Sequence, residues 1–193
     1  MHPDLAAAIT PDRQWRMSVD EYHRLQELDV LGEKDRVELI EGVVVAMSPQ
    51  SPEHVVVVSK LFRWFSLALD DTQWVVRSQA PLTLARSEPE PDLVIVPTSA
   101  IAAAFPRHPS TAALVIEVSK SSLATDRAMA AVYAEAGVNE YWVVDVARRR
   151  VEIHREPLGD DYRVRVVAAD GVIQPASVPG VQIDLETLWR ALP

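Results

Sequence analysis

Two unbroken apolar runs, Leu93-Val-Ile-Val96 and Ala113-Leu-Val-Ile116, stand out from the hydrophobic and polar pattern of this chain. Runs this short and this rich in branched side chains read as strands covered on both faces. Elsewhere the pattern alternates or turns helical. Ser18-Val-Asp-Glu21 matches a capping box, in which a Ser hydroxyl and a Glu carboxylate satisfy exposed amides reciprocally, and it predicts a helix to about Leu28. Residues 36–47 read as two strands folded about Glu41-Gly42, with Glu38 on the face opposite Val37 and Leu39. Ser51-Pro52 pairs an N-cap with proline at the first helical position. Val55, Val58, Leu61, Phe62, Phe65 and Leu69 then recur at helical spacing, predicting a long amphipathic helix.

The second half adds strands over 74–84 and 92–96, joined by the extended, proline-rich Ser87-Glu-Pro-Glu-Pro-Asp92. A short helix over 99–104, a strand over 113–118 and a helix over 126–136 ending at Gly137 follow. Residues 140–145 and 151–155 pair about Ala147-Arg-Arg149, residues 162–168 form one more strand, and a short helix starts from Asp184. No repeat or linker divides the chain. The pattern predicts an N-terminal arm over 1–17 and one domain over 18–193. That domain belongs to the α/β (α+β) class, a mixed β-sheet with flanking helices.

Composition narrows the function classes. At 193 residues and 48% hydrophobic content the chain can bury a substantial core. It has no cysteine, which removes disulfides, thiolate metal sites and a Cys nucleophile, and five scattered histidines argue against structural zinc. No apolar stretch reaches the length of a membrane span, and Met-His-Pro-Asp-Leu does not resemble a secretory signal, so a cytoplasmic location is expected. A net charge of −9 argues against a non-specific nucleic-acid coat protein. It leaves open a nuclease, whose acidic ligands lower the count themselves. Arg148-Arg149-Arg150 reads as a solvated hairpin turn. There is no Gly-x-Ser-x-Gly elbow and no glycine-rich phosphate loop.

Asp92 opens one apolar run and Glu117 lies near the end of the other. An unpaired buried carboxylate costs several kcal/mol or takes up a proton. A divalent cation held between two of them relieves that cost, since hard cations take oxygen ligands. Asp92 and Glu117 are therefore the candidate metal pair, with Glu38 or Glu90 as a third carboxylate. His54, Gln79 and Tyr133 are candidates to border such a site, although packing or solvation explains each at least as well. A metal between carboxylates suits phosphodiester hydrolysis, where charge on the phosphorane must be neutralised and a water activated.

The ordered blocks Val37-Glu-Leu-Ile-Glu-Gly42, Ser51-Pro-Glu-His54, Gln79-Ala-Pro81, Glu88-Pro-Glu-Pro-Asp92, Ile116-Glu-Val-Ser119, Asp126-Arg127 and Tyr133 through Asp145 resemble the Uma2-like family of endonucleases in the PD-(D/E)xK superfamily. The resemblance implies a restriction-endonuclease-like fold, dependence on Mg²⁺ (or Mn²⁺), and DNA as substrate. It implies Asp92 as the motif Asp and Glu117 as the motif Glu. The motif lysine is missing: Ser119 stands two residues after Glu117, and Met129 stands where similar chains carry a lysine on the following helix. Lys120 is the nearby lysine that could substitute, with Glu38 orienting water. Two readings follow, a Mg²⁺-dependent endonuclease and a nuclease-fold module that binds or regulates without cutting. A homodimer is expected, through an edge strand or the N-terminal arm.

Overall fold

Alternation along the central strands decides the architecture, because odd and even positions feed two separate cores. The computed structural model describes residues 14–32 and 34–192. Residues 1–13 of the expected arm lie outside them. The capping box at Ser18 is formed in both directions and opens α1, Val19–Glu27. β1, Val37–Ile40, and β2, Val43–Ala46, form the expected hairpin. Its turn residues Glu41 and Gly42 both have positive φ, 49° and 76°, which matches the twist of the two strands. A Cβ on Gly42 would lie 2.9 Å from the Met17 carbonyl oxygen, so the close approach also requires glycine.

α2, Pro52–Ala68, starts at the Ser51 cap with proline in its first turn. It is followed by β3, Trp74–Arg77, β4, Leu93–Pro97, α3, Thr98–Ala104, and β5, Leu114–Ser119. Then come α4, Leu123–Glu135, β6, Glu140–Asp145, β7, Arg150–Leu158, and β8, Asp161–Ala168. A two-residue pair, β9, Val172–Ile173, and β10, Ile183–Asp184, precedes α5, Leu185–Trp189. β3 through β8 lie in chain order in one six-stranded sheet. Every neighbouring pair is antiparallel except β5 and β6, which are parallel with α4 as their crossover.

Leu93, Ile95, Leu114, Ile116, Trp142, Val144, Val151 and Ile153 point to one face, where they meet Val57, Val58, Leu61 and Phe65 of α2 and the C-terminal segment. Val94, Val96, Val115, Tyr141 and Val143 point to the other, against Met129, Ala130, Tyr133 and Ala134 of α4. Burial on both faces explains the continuous apolar runs.

Two expectations need correction. The apolar stripe of α2 runs through Val57, Val58, Leu61 and Phe65, while Val55 and Phe62 are exposed. The strand expected over 74–84 stops at Arg77, because Gln79 takes a positive φ of 49° and its amide turns to the Pro91 carbonyl. The stretch 87–91 is mostly interior: Glu88 is buried and accepts from Thr83 Oγ1 at 2.8 Å, with His23 Nε2 2.6 Å from the same oxygen. Among the described residues no helix is long and apolar enough to cross a membrane.

At the start of β6 the fully buried Glu140 collects donors from three directions. Trp142 Nε1 donates at 2.7 Å, Arg155 Nε at 2.8 Å, and the Ser177 amide and hydroxyl at 3.0 and 3.1 Å. Removing that acceptor strands several buried donors at once. Glu140→Ala is expected to cost about 3 kcal/mol of stability. The check is urea unfolding, which should show a lower midpoint with an unchanged slope.

Candidate active site

Sheet register brings the two carboxylates together. β4 and β5 pair Leu93 with Ile116 and Val94 with Val115, so the next step of the ladder sets Asp92 opposite Glu117. Parity gives them one face, the side covered by α4. The Asp92 amide donates to Glu117 Oε2 at 3.2 Å, and the Val118 amide donates to Asp92 Oδ2 at 2.8 Å. Each strand thus binds the other's carboxylate through its backbone. Tyr133 Oη, from α4, donates to the second Glu117 oxygen at 2.9 Å.

These groups border a cavity of about 630 Å³ at the C-terminal end of β5. Glu38 enters from β1, where alternation turns Glu38 and Ile40 toward the cavity and leaves Leu39 buried behind, and Arg36, just ahead of the strand, lines it too. Asp126 enters from the first turn of α4. The helix begins three residues earlier than the sequence pattern indicates, and Ser122 donates its hydroxyl to Asp126 at 2.6 Å instead of capping the helix. Five carboxylates therefore share one cavity: Glu38, Glu90, Asp92, Glu117 and Asp126.

Their electrostatics follow from that crowding. Burial, then repulsion from Asp92 and Asp126, pushes Glu117 well above the usual glutamate range. Burial also raises Asp126 and Glu38, and Asp92 adds repulsion to both. Burial and the nearby Glu117 charge push the Tyr133 hydroxyl well up. No arginine or lysine pairs with Asp92 or Glu117 among the described residues; the Asp92 ion-pair partner is His54. His54 Nε2 lies 2.9 Å from Asp92 Oδ2, and its buried Nδ1 has no hydrogen-bond partner.

The other expected residues divide. Glu38 lines the cavity and accepts the Glu90 amide at 3.2 Å. Gln79 and Glu90 line it too. Lys120 is at its edge, but its ammonium is engaged by Glu53, whose carboxyl it holds down at about 2. Met129 lines the cavity as well. Asp126 is the site residue that sequence reasoning did not single out. Its signal was available in the helix position, one turn before Ala130 and two before Tyr133 and Ala134 on the sheet-facing side.

Whether a metal fits was tested on the donors themselves. Oxygen ligands with mutual repulsion and no arginine or lysine paired to Asp92 or Glu117 suit a hard divalent cation, and Asp92 Oδ1 takes no hydrogen bond among the described residues. Both Glu117 oxygens hold donors, and among the described residues no three His, Asp or Glu side chains already converge as a metal cage. The residues fit a cation in chemistry, with side-chain adjustment at Glu117 required to admit it.

One solved structure, described as "Crystal structure of a putative nuclease belonging to DUF820 from Anabaena variabilis ATCC 29413", superposes with a TM-score of 0.71. It shares 14% identity and covers 90% of this chain and 98% of its own, which establishes the fold. The chain belongs to the Uma2 family: residues 19–186 match its model, described as "Putative restriction endonuclease". No curated protein matches.

The raised Glu117 pKa is a stability statement. Below about pH 4.3, where an unfolded glutamate is protonated, Glu117 costs nothing. As pH rises toward its folded value the native state resists ionisation and stability is lost. Glu117→Gln keeps an acceptor for the Asp92 amide and removes the charge. It should therefore stabilise the protein at pH 8 and change little at pH 4, as read from thermal unfolding at the two pH values.

Proposed function

We propose that this protein is a Mg²⁺-dependent endonuclease acting on DNA, with Asp92 and Glu117 as the metal ligands. The observation that carries this reading is the convergence of Asp92 and Glu117 across the β4–β5 ladder, with no arginine or lysine paired to either among the described residues. Membership of a family described as restriction endonucleases supports it. When bound, Mg²⁺ or Mn²⁺ would make a water more acidic and offset charge developing on the phosphorane.

The chain's own groups divide the remaining work. The Val118 amide and His54 hold one Asp92 oxygen, leaving the other for the ion. Tyr133 orients Glu117. Glu38 and Asp126, both with raised proton affinity, can hold or accept a proton at a water beside the ion. Cutting both strands of a duplex calls for two copies of the chain, so a homodimer belongs to this reading.

Supercoiled plasmid with Mg²⁺ or Mn²⁺ is the direct test. Nicking is expected from the native chain, and Asp92→Ala should lower it by on the order of 100-fold or more, since the ligand supports several kcal/mol of charge stabilisation. Absence of nicking at high protein concentration overturns the catalytic reading. A saturating cation should also raise the melting temperature at pH 8 by about 5 °C, because it binds only the folded site. Glu117→Ala should abolish that shift.

A second reading, a nuclease-fold module that binds or regulates without cutting, is favoured by one observation. The Lys120 ammonium is held by Glu53, and Met129 occupies the cavity wall. If this reading holds, the native chain is silent and Met129→Lys produces metal-dependent nicking. Cleavage by the native chain that Met129→Lys leaves unchanged would eliminate it.

A further inference from the structure

Two cationic side chains line the acidic cavity among the described residues, Lys120 and Arg36, and they differ in one respect. Lys120 is paired with Glu53, whereas Arg36 forms no ion pair or side-chain hydrogen bond among the described residues and acts on the Glu90 carboxyl only through its charge. Arg36 is exposed just ahead of β1, two residues before Glu38, and both residues line the acidic cavity. Its backbone is fixed in an uncommon conformation, φ 44°, while its carbonyl accepts the Met47 amide at 2.9 Å. A non-glycine residue held there costs conformational energy, and such positions gather at functional sites.

Arg36 also belongs to a second and larger cleft of about 1060 Å³. The two clefts share Arg36, Met47, Gln50, Gln79 and Glu90, so the larger one adjoins the acidic cavity along those residues as a trough in two compartments. A trough with one compartment already above the roughly 300–1,000 Å³ of small-molecule sites suits a length of polymer. Asp29, Asp35 and Lys34 also line the larger cleft, and Arg36 is the cation common to both compartments.

We propose that Arg36 binds a phosphate of the substrate strand beside Asp92 and Glu117, supplying the positive charge that Met129 and the engaged Lys120 do not. This rests on the endonuclease reading and assigns the strand's path through the trough. A guanidinium grips a phosphate through two parallel N–H donors, and it carries its charge at any working pH. No group need gain or lose a proton for the contact. Placing the cation on β1, opposite α4, also explains how the wall at position 129 can be apolar.

The test measures binding of a short fluorescent DNA duplex by anisotropy across a salt series, with Ca²⁺ replacing Mg²⁺ to prevent cleavage. Arg36→Gly removes the guanidinium and tolerates the positive φ without strain. Relative to the native chain it should bind about tenfold more weakly, and the slope of log affinity against log salt should become shallower by about 1. Arg36→Lys should restore the slope. The Mg²⁺-induced rise in melting temperature should be the same in both variants, which establishes an intact carboxylate site. Equal affinity and slope for native and Arg36→Gly overturn the Arg36 assignment and leave the endonuclease reading standing. No binding by the native chain overturns both.

Discussion

Repulsion among carboxylates at one end of the central sheet is the constraint around which this protein is organised. Asp92 and Glu117 are forced together by β4–β5 register, and Glu38 and Asp126 close in from the hairpin and the crossover helix. The fold offsets this repulsion with amides of Asp92 and Val118, the Tyr133 hydroxyl and the Ser122 hydroxyl. Neutral donors hold the carboxylates in place without cancelling their charge.

The sheet supplies the rigidity this needs. Its central strands are buried on both faces, against α2 on one side and α4 on the other. Opening the ladder at Asp92 would therefore expose two cores at once. Glu140, at the opposite end of β6, shows the contrasting solution to a buried acid. There an arginine, an indole and a serine saturate the charge, and the result is structural. The same residue type serves opposite ends in one sheet because of its neighbours.

Much of this was legible in the sequence, for identifiable reasons. The capping box at Ser18, the Glu41-Gly42 turn and the Ser51-Pro52 start are local signals whose physics needs no tertiary context, and each is formed. The carboxylate pair was legible because a charge at the edge of an apolar run has few explanations. What was not legible depended on distant contacts. Val55 and Phe62 fit the helical period but lie outside the stripe that the sheet selects. The interior position of Glu88 depends on Thr83 and His23, the latter far away in sequence. Asp126 was passed over because the start of α4 moved by one turn, and the engagement of Lys120 by Glu53 cannot be read from either residue alone.

The β1–β2 hairpin is a two-stranded unit separate from the six-stranded sheet, tied to the 86–90 stretch by the Leu39–Glu88 bridge, by the Gly42 amide on the Arg86 carbonyl and by the Glu90 amide on Glu38. It carries Arg36 and Glu38, while the opposing carboxylates belong to the sheet. Two parts of the machinery are thereby mounted on separate supports. Under the proposed function, the hairpin could change what it grips, through its loop and its outward face, while the carboxylate pair stays under the discipline of the core.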